Sequence, residues 1–284
     1  MYKHQHYNLW LHDGEELASI VGVPISERTT LHEWPLSCVQ RLTTAHGRKL
    51  IYKSQSGPEP ALEPDFYARA SSGLLPWAQA VYRSETHSCM LLEFIEGPRM
   101  DNVDLDEEDA VRTGRELLSR IAEIEGELPY ASDITDEARW LALVDSTLCD
   151  LRGLVEEGKF SLVTTEAIRA LQTCAHSSAV IDAIAISPGL RHGDLGRDNV
   201  FLHGDAHKVI DWHPCRGPTD LDFAGFLREF GVDPSKYVHK GVLAVGCFLD
   251  VSWVTQCKKK WIQDAESYDG FIVRAAEEMR QVLV

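Results

Sequence analysis

The segment LRHGDLGRDNVFLHGDAHKVIDW, residues 190–212, constrains this chain more than any other. NVFLH and HKVIDW are short runs of β-forming residues and GDA between them supplies a turn, so the segment reads as a β-hairpin. Asp194 precedes Asn199 by five residues, and Asp211 follows one hairpin later. A tight loop can therefore bring three oxygen-bearing side chains to one edge, the kind of ligand that hard cations such as Mg²⁺ select. Taken singly, Asp194 and Asn199 also suit loop capping and Asp211 a strand end. Together they point to a site.

The rest of the chain must supply what such a hairpin rests on. LSCVQRLT (36–43) and RKLIYKS (48–54), separated by TAHG, form a predicted hairpin, and AVYRSE (80–85) and CMLLEFI (89–95) a second pair of strands. Between the pairs, EPDFYARASSGLL from Glu63 reads as a helix, with Pro64 tolerated in its first turn. TTLHEWPLS, ahead of the first hairpin, reads as a loop. After EGPRM at 96–100 the apolar period becomes helical. Ala110, Gly114, Leu117, Leu118, Ile121 and Ile124 mark one helix, and Trp140, Leu141, Val144, Leu148 and Leu151 another. Residues 163–185 predict a third, and the chain from Leu221 onward is mostly helical. The expected class is α+β, with a β-rich lobe over 1–96 and a larger, mainly helical lobe over 97–284.

Composition removes several partners. The chain carries 28 Lys plus Arg against 44 Asp plus Glu, a net charge of −16, which repels phosphate backbones and anionic lipid, so neither nucleic acid nor membrane is an expected partner. The apolar run GVLAVGCFL ends at Asp250, well short of the ~20 residues that span a bilayer, and the first residues lack a secretory pattern. A cytoplasmic location is expected. Seven scattered cysteines without a CxxC pair suit reduced core thiols. His4 with His6, and His203 with His207, read as solvated histidines, because no third ligand accompanies either pair at metal-site spacing. No pattern in the chain sets an oligomeric state.

HGDLGRDNVF followed by VIDW, and then GPTDLDFA, resembles the aminoglycoside phosphotransferase family and its choline kinase-like relatives, which have a protein-kinase-like fold of two lobes. The order of elements agrees over nearly the whole chain, although residues before about 25 and the helices after 230 carry no family signature. The resemblance implies Mg²⁺-dependent phosphoryl transfer from ATP to a hydroxyl of a small molecule, with GTP compatible as donor. It makes Asp194 the residue that positions the acceptor hydroxyl and takes its proton, and Asn199 and Asp211 the ligands of Mg²⁺ on the nucleotide phosphates. His192 braces the catalytic turn. Asp222 ties that turn to the helix beneath, with Asp220 as the competing choice. Lys53 in LIYK meets the α- and β-phosphates, Lys49 being the alternative, and is held by Glu63 or else by Asp65. LLEFIEG matches the family hinge, so the Glu93 carbonyl and the Ile95 amide meet the adenine edge.

Two departures qualify the resemblance. Gly193 stands where regulated kinases have arginine, and few residues separate Asp211 from GPTDLDFA, so no phosphorylation switch is expected. TTLHEWPLS lacks the glycines that usually cover the phosphates, a feature that suits the rival expectation of a nucleotide-binding pseudokinase acting as a regulator or scaffold. The acidic surplus, including six of the nine residues at 101–109, leads to the expectation of a positively charged acceptor such as an amino-bearing alcohol or an aminoglycoside-type antibiotic.

Overall fold

The computed structural model describes residues 1–57, 59–204, 206–262 and 267–283; Asp205, a residue of the GDA turn expected from sequence, lies outside the described residues. The chain gathers into two compact units. One comprises Met1–Asp104, Glu123–Ala131 and Gly196–Pro214, the other Leu105–Ala122, Ser132–Leu195 and Cys215–Val284. Where the sequence divides the chain once, at 96/97, the folded chain alternates between units, and the hairpin belongs to the first.

In that first unit β1 (Tyr2–Lys3) pairs with β2 (Trp10–Leu11), α1 (Gly14–Val21) follows, and a five-stranded antiparallel sheet is built from β3 (Ile25–Trp34), β4 (Ser37–Thr44), β5 (Lys49–Ser56), β6 (Ala78–Arg83) and β7 (His87–Glu93). Its strand order is β3-β4-β5-β7-β6, and α2 (Leu62–Arg69) lies in the chain between β5 and β6. The stretch TTLHEWPLS, expected as a loop, is instead the end of β3, a turn of Pro35 and Leu36, and the start of β4. Register shifts between Ile25 and Glu27 and between Thr30 and His32 break the strict alternation that would have revealed the strand.

Alternation along β5 decides what each face does. Leu50 and Tyr52 join Leu42, Leu91, Cys38 and Cys89 in a core that Leu9, Leu11 and Leu17 of the N-terminal segment cover. Lys49, Ile51 and Lys53 take the opposite phase. The N-terminal segment, which carries no family signature, is therefore the outer layer of the sheet. Its helix α1 opens with a reciprocal capping box, Asp13 accepting from the Glu16 N–H and Glu16 from the Asp13 N–H, each at 2.9 Å.

The second unit contains α3 (Glu107–Ala122), β8 (Ser132–Asp133), α4 (Glu137–Glu156), α5 (Thr165–Ala175), α6 (Ser178–Ile184) and β9 (Pro188–Arg191). After β10 (Val200–His203) and β11 (Ala206–Val209), which form the hairpin of the first unit, it resumes with β12 (Cys215–Pro218), α7 (Asp220–Glu229), α8 (Lys240–Lys260) and α9 (Ser267–Leu283). Residues 163–185, expected as one helix, are two. The chain breaks at His176 and Ser177, where Ser177 takes an extended backbone (ψ 148°) at the start of α6. Trp140, Val144, Leu148 and Leu151 of α4 form one stripe of the core, and the Trp140 indole donates to the Ala175 carbonyl at 3.0 Å. The apolar run 241–249 is a buried part of α8. Among the described residues no helix is long and apolar enough to cross a membrane. Gly114 lets α3 lie against α7, since a Cβ there would come within 2.7 Å of the Phe223 ring.

Leu9 is fully buried beneath the sheet. Leu9→Ala should lower the unfolding free energy by about 2–5 kcal/mol in chemical denaturation. A loss below about 0.5 kcal/mol, as at an ordinary surface position, would show that the N-terminal segment is not a working part of the core.

Candidate active site

Lys53 is 7% exposed on β5, and a buried ammonium requires partners. Its Nζ donates to Glu63 Oε2 at 2.5 Å and to Asp211 Oδ1. Glu63 stands in the first turn of α2 and is 5% exposed. The alternatives weighed in the sequence go elsewhere: Asp65 pairs with Arg83, and Lys49 is exposed with its ammonium 5.1 Å from the centre of the Phe94 ring. Burial pulls the Lys53 pKa down, but Asp211 and Glu63 outweigh it and the net direction is upward. Burial pushes the Glu63 carboxyl up to about 7, with Lys53 opposing the rise and Asp211 adding to it.

Asp211 follows β11 with φ at 61°, a left-handed conformation that few residues other than glycine adopt. Such strain persists where the surroundings over-determine it. Lys53 holds its side chain, and the next residue, Trp212, stacks on Phe66 of α2 with ring centroids 4.6 Å apart and planes at 25°. The Trp212 indole also donates to the Val209 carbonyl at 3.0 Å. Phe66 lies three residues beyond Glu63 on the same helix, so this stack fixes the helix that carries the acid. Sequence reasoning passed over the Trp212–Phe66 pair, although an aromatic residue directly after the acid in VIDW was its signal.

Asn199 is 7% exposed. Val200 pairs with Val209, and the Asn199 carbonyl accepts from the Ile210 N–H at 3.0 Å, so Asn199 sits at the hairpin end next to Asp211. An amide oxygen and a carboxylate at one hairpin end are a donor set that fits Mg²⁺. At the end of β7 the Glu93 N–H donates to the Trp77 carbonyl at 2.8 Å. Ile95 is 6% exposed, and its N–H has no hydrogen-bond partner among the described residues. A backbone donor of this kind suits a ligand acceptor. Gly97 permits the close approach of β10, since a Cβ there would lie 1.9 Å from the Leu202 carbonyl oxygen.

In the second unit the turn after β9 is clamped through its backbone. Asp222, 4% exposed in the first turn of α7, accepts from the His192 N–H at 2.5 Å, the Gly193 N–H at 3.3 Å and the Arg191 guanidinium at 3.3 Å. Asp220 pairs instead with Arg115 at 2.7 Å. His192 is fully buried and its Nδ1 accepts from the Asp194 N–H at 3.2 Å, while Asp194 itself is exposed. Gly193 has φ at 88°, a backbone that the arginine of regulated kinases would adopt only under strain.

No protein-family model matches the chain, and no curated protein matches its sequence. Solved structures do. Spectinomycin phosphotransferase in complex with ADP and spectinomycin is 12% identical, with a TM-score of 0.56 over 96% of this chain and 100% of that one. The ternary complex of streptomycin, ATP and APH(2")-IIa is 15% identical, with a TM-score of 0.57 over 94% of each chain. A choline/ethanolamine kinase family protein from Mesorhizobium loti is 14% identical, with a TM-score of 0.57 over 89% of this chain and 88% of that one. The fold is thus that of the protein-kinase-like small-molecule phosphotransferases, with a small β-rich lobe and a larger, mainly helical one.

The Glu63 carboxyl yields a pH signature. Its pKa of about 7 in the folded protein exceeds the ordinary 4.5, so its contribution to stability is full below about pH 4.5 and is lost as pH rises through about 7. In the metal-free protein, Glu63→Gln should therefore gain stability relative to wild type as pH rises across this window, read from thermal unfolding at several pH values. An unchanged difference between variant and wild type would place the titration on another group.

Proposed function

We propose that this chain transfers the γ-phosphoryl group of ATP to a hydroxyl of a small molecule, in a Mg²⁺-dependent reaction in the cytoplasm. The observation that carries the reading is the buried Lys53 ammonium held by Glu63 and Asp211, with Asn199 at the same hairpin end. In this reading residues 1–96 bind the nucleotide and 97–284 supply the catalytic turn and the acceptor site. Lys53 meets the α- and β-phosphates, and Glu63 keeps it aligned. The Asp211 side chain is 55% exposed, which leaves it open to a ligand. Asn199 and Asp211 hold Mg²⁺, which when bound neutralises charge on the phosphates. The Ile95 N–H and the Glu93 carbonyl take the purine edge through main chain alone, and GTP is compatible with the same residues. Asp194 orients the acceptor hydroxyl and accepts its proton; His192 and Asp222 act only by positioning that turn. An amine-bearing acceptor is supported by the net charge of −16 and by the spectinomycin, streptomycin and choline/ethanolamine named for the structural neighbours.

The test is ADP release from Mg·ATP over matched cationic, neutral and anionic alcohols, with fastest release expected for a cationic one. Tight Mg·ATP binding without release over the whole panel would mark a pseudokinase regulator instead, the reading that the glycine-free Pro35–Leu36 turn favours. Asp194→Asn should lower turnover about 100-fold or more with Mg·ATP binding nearly intact; near-normal turnover would remove it from the acceptor role. Asp211→Ala should abolish the Mg²⁺ dependence of nucleotide affinity, measured by calorimetry with and without the metal. If Mg²⁺ shifted affinity as in wild type, Asp211 would not be its ligand.

A further inference from the structure

The first unit gathers a second set of ligating side chains, and its Cys38 belongs to the core of Leu50 and Tyr52, the strand phase opposite to Lys53. The ring nitrogen of His4, a carboxylate oxygen of Glu33 and the sulfur of Cys38 all lie within 4.8 Å of one another, and His4 Nε2 is 3.2 Å from Glu33 Oε2. Glu33 and Cys38 are register partners on β3 and β4, just behind the Pro35–Leu36 turn. His4 comes from the segment between β1 and β2, 29 residues before Glu33, so no local spacing could announce the group. The His4 side chain is 8% exposed, against the solvated histidine expected from sequence, and its ring stacks on Tyr7 at 5.2 Å. Cys38 is fully buried while Glu33 is 43% exposed, so two ligands are walled in and the third opens to solvent.

We propose that His4 Nε2, a Glu33 carboxylate oxygen and Cys38 Sγ form a binding site for a borderline-soft divalent metal, Zn²⁺, with a fourth position open to water. A nitrogen, oxygen and sulfur donor set selects such an ion over Mg²⁺. Zinc bonds of about 2.0–2.3 Å in a tetrahedron put ligand atoms roughly 3.3–3.8 Å apart, so the cluster closes by about 1 Å on binding. The site pins the N-terminal segment to the β3–β4 turn and is independent of the phosphotransfer reading.

The protons balance as follows. The Zn–S bond forms with loss of the Cys38 thiol proton to solvent. The Glu33 carboxylate releases none. His4 Nδ1 accepts from the His6 and Tyr7 N–H groups, both at 3.2 Å, which puts the proton of the neutral ring on Nε2. Metal at Nε2 moves that proton to Nδ1, and the two amides must turn away. One proton thus leaves per metal, and the His6 and Tyr7 amides change environment. A plain His4–Glu33 ion pair does neither.

Metal-free full-length protein in saturating Mg²⁺ is titrated with Co²⁺ as a visible stand-in for Zn²⁺. One equivalent should bind with a sulfur-to-cobalt charge-transfer band, release one proton, shift the His6 and Tyr7 amide resonances and be displaced by Zn²⁺. His4→Gln, which keeps a polar side chain between β1 and β2, should weaken binding about 100-fold or more with the thermal unfolding of the metal-free protein nearly unchanged. Cys38→Ser should abolish the band, and Cys149→Ser, at an exposed cysteine, should leave it unchanged. Absence of stoichiometric binding, or a band that survives His4→Gln, overturns the proposal.

Discussion

A buried ammonium is the constraint around which the first unit is organised. Removing the Lys53 charge from water costs several kcal/mol unless carboxylates replace the solvent. Glu63 and Asp211 do so from α2 and from the segment after β11, so one side chain on β5 draws together three stretches of chain that lie far apart in sequence. This explains why residues 196–214, late in the sequence, cluster with the N-terminal sheet. The Trp212–Phe66 stack reinforces the arrangement in apolar terms, since it ties the residue after Asp211 to the helix that bears Glu63.

Two carboxylates around one ammonium leave the cluster short of positive charge, and the Asp211 carboxylate adds to the rise in the Glu63 pKa that burial causes first. An added cation at the exposed Asp211 carboxylate answers the same shortage. The charge distribution therefore suits the Mg²⁺ proposed above, for which the oxygen of Asn199 beside Asp211 is a fitting second donor.

The second unit solves a different problem. Its turn at 191–194 must hold Asp194 at the surface, and it does so with backbone amides converging on the Asp222 carboxylate. Backbone groups cannot change rotamer, so a buried acid that accepts from two successive amides fixes the turn more firmly than a pair of long side chains would. The aromatic and aliphatic core of α4, α5 and α8 holds the turn's supporting helix in place.

The sequence by itself determined the elements whose signals are local. The strand pairs around 36–54 and 80–95, the helix over 107–122 and the hairpin with its acids follow from alternation, helical spacing and turn residues, because those patterns act over a few residues. Only the tertiary structure decided between Glu63 and Asp65, and between Asp220 and Asp222. Each pair lies within one helical turn and carries the same chemistry; what separates the members is which face meets Lys53 or the turn at 191–194, and those partners are distant in the chain. The same reason hid β3, whose register shifts broke its period, and the N-terminal layer, whose short strands signal nothing until the sheet beneath them exists. His4, Glu33 and Cys38 are the extreme case, three ordinary residues that become neighbours only when the chain closes on itself.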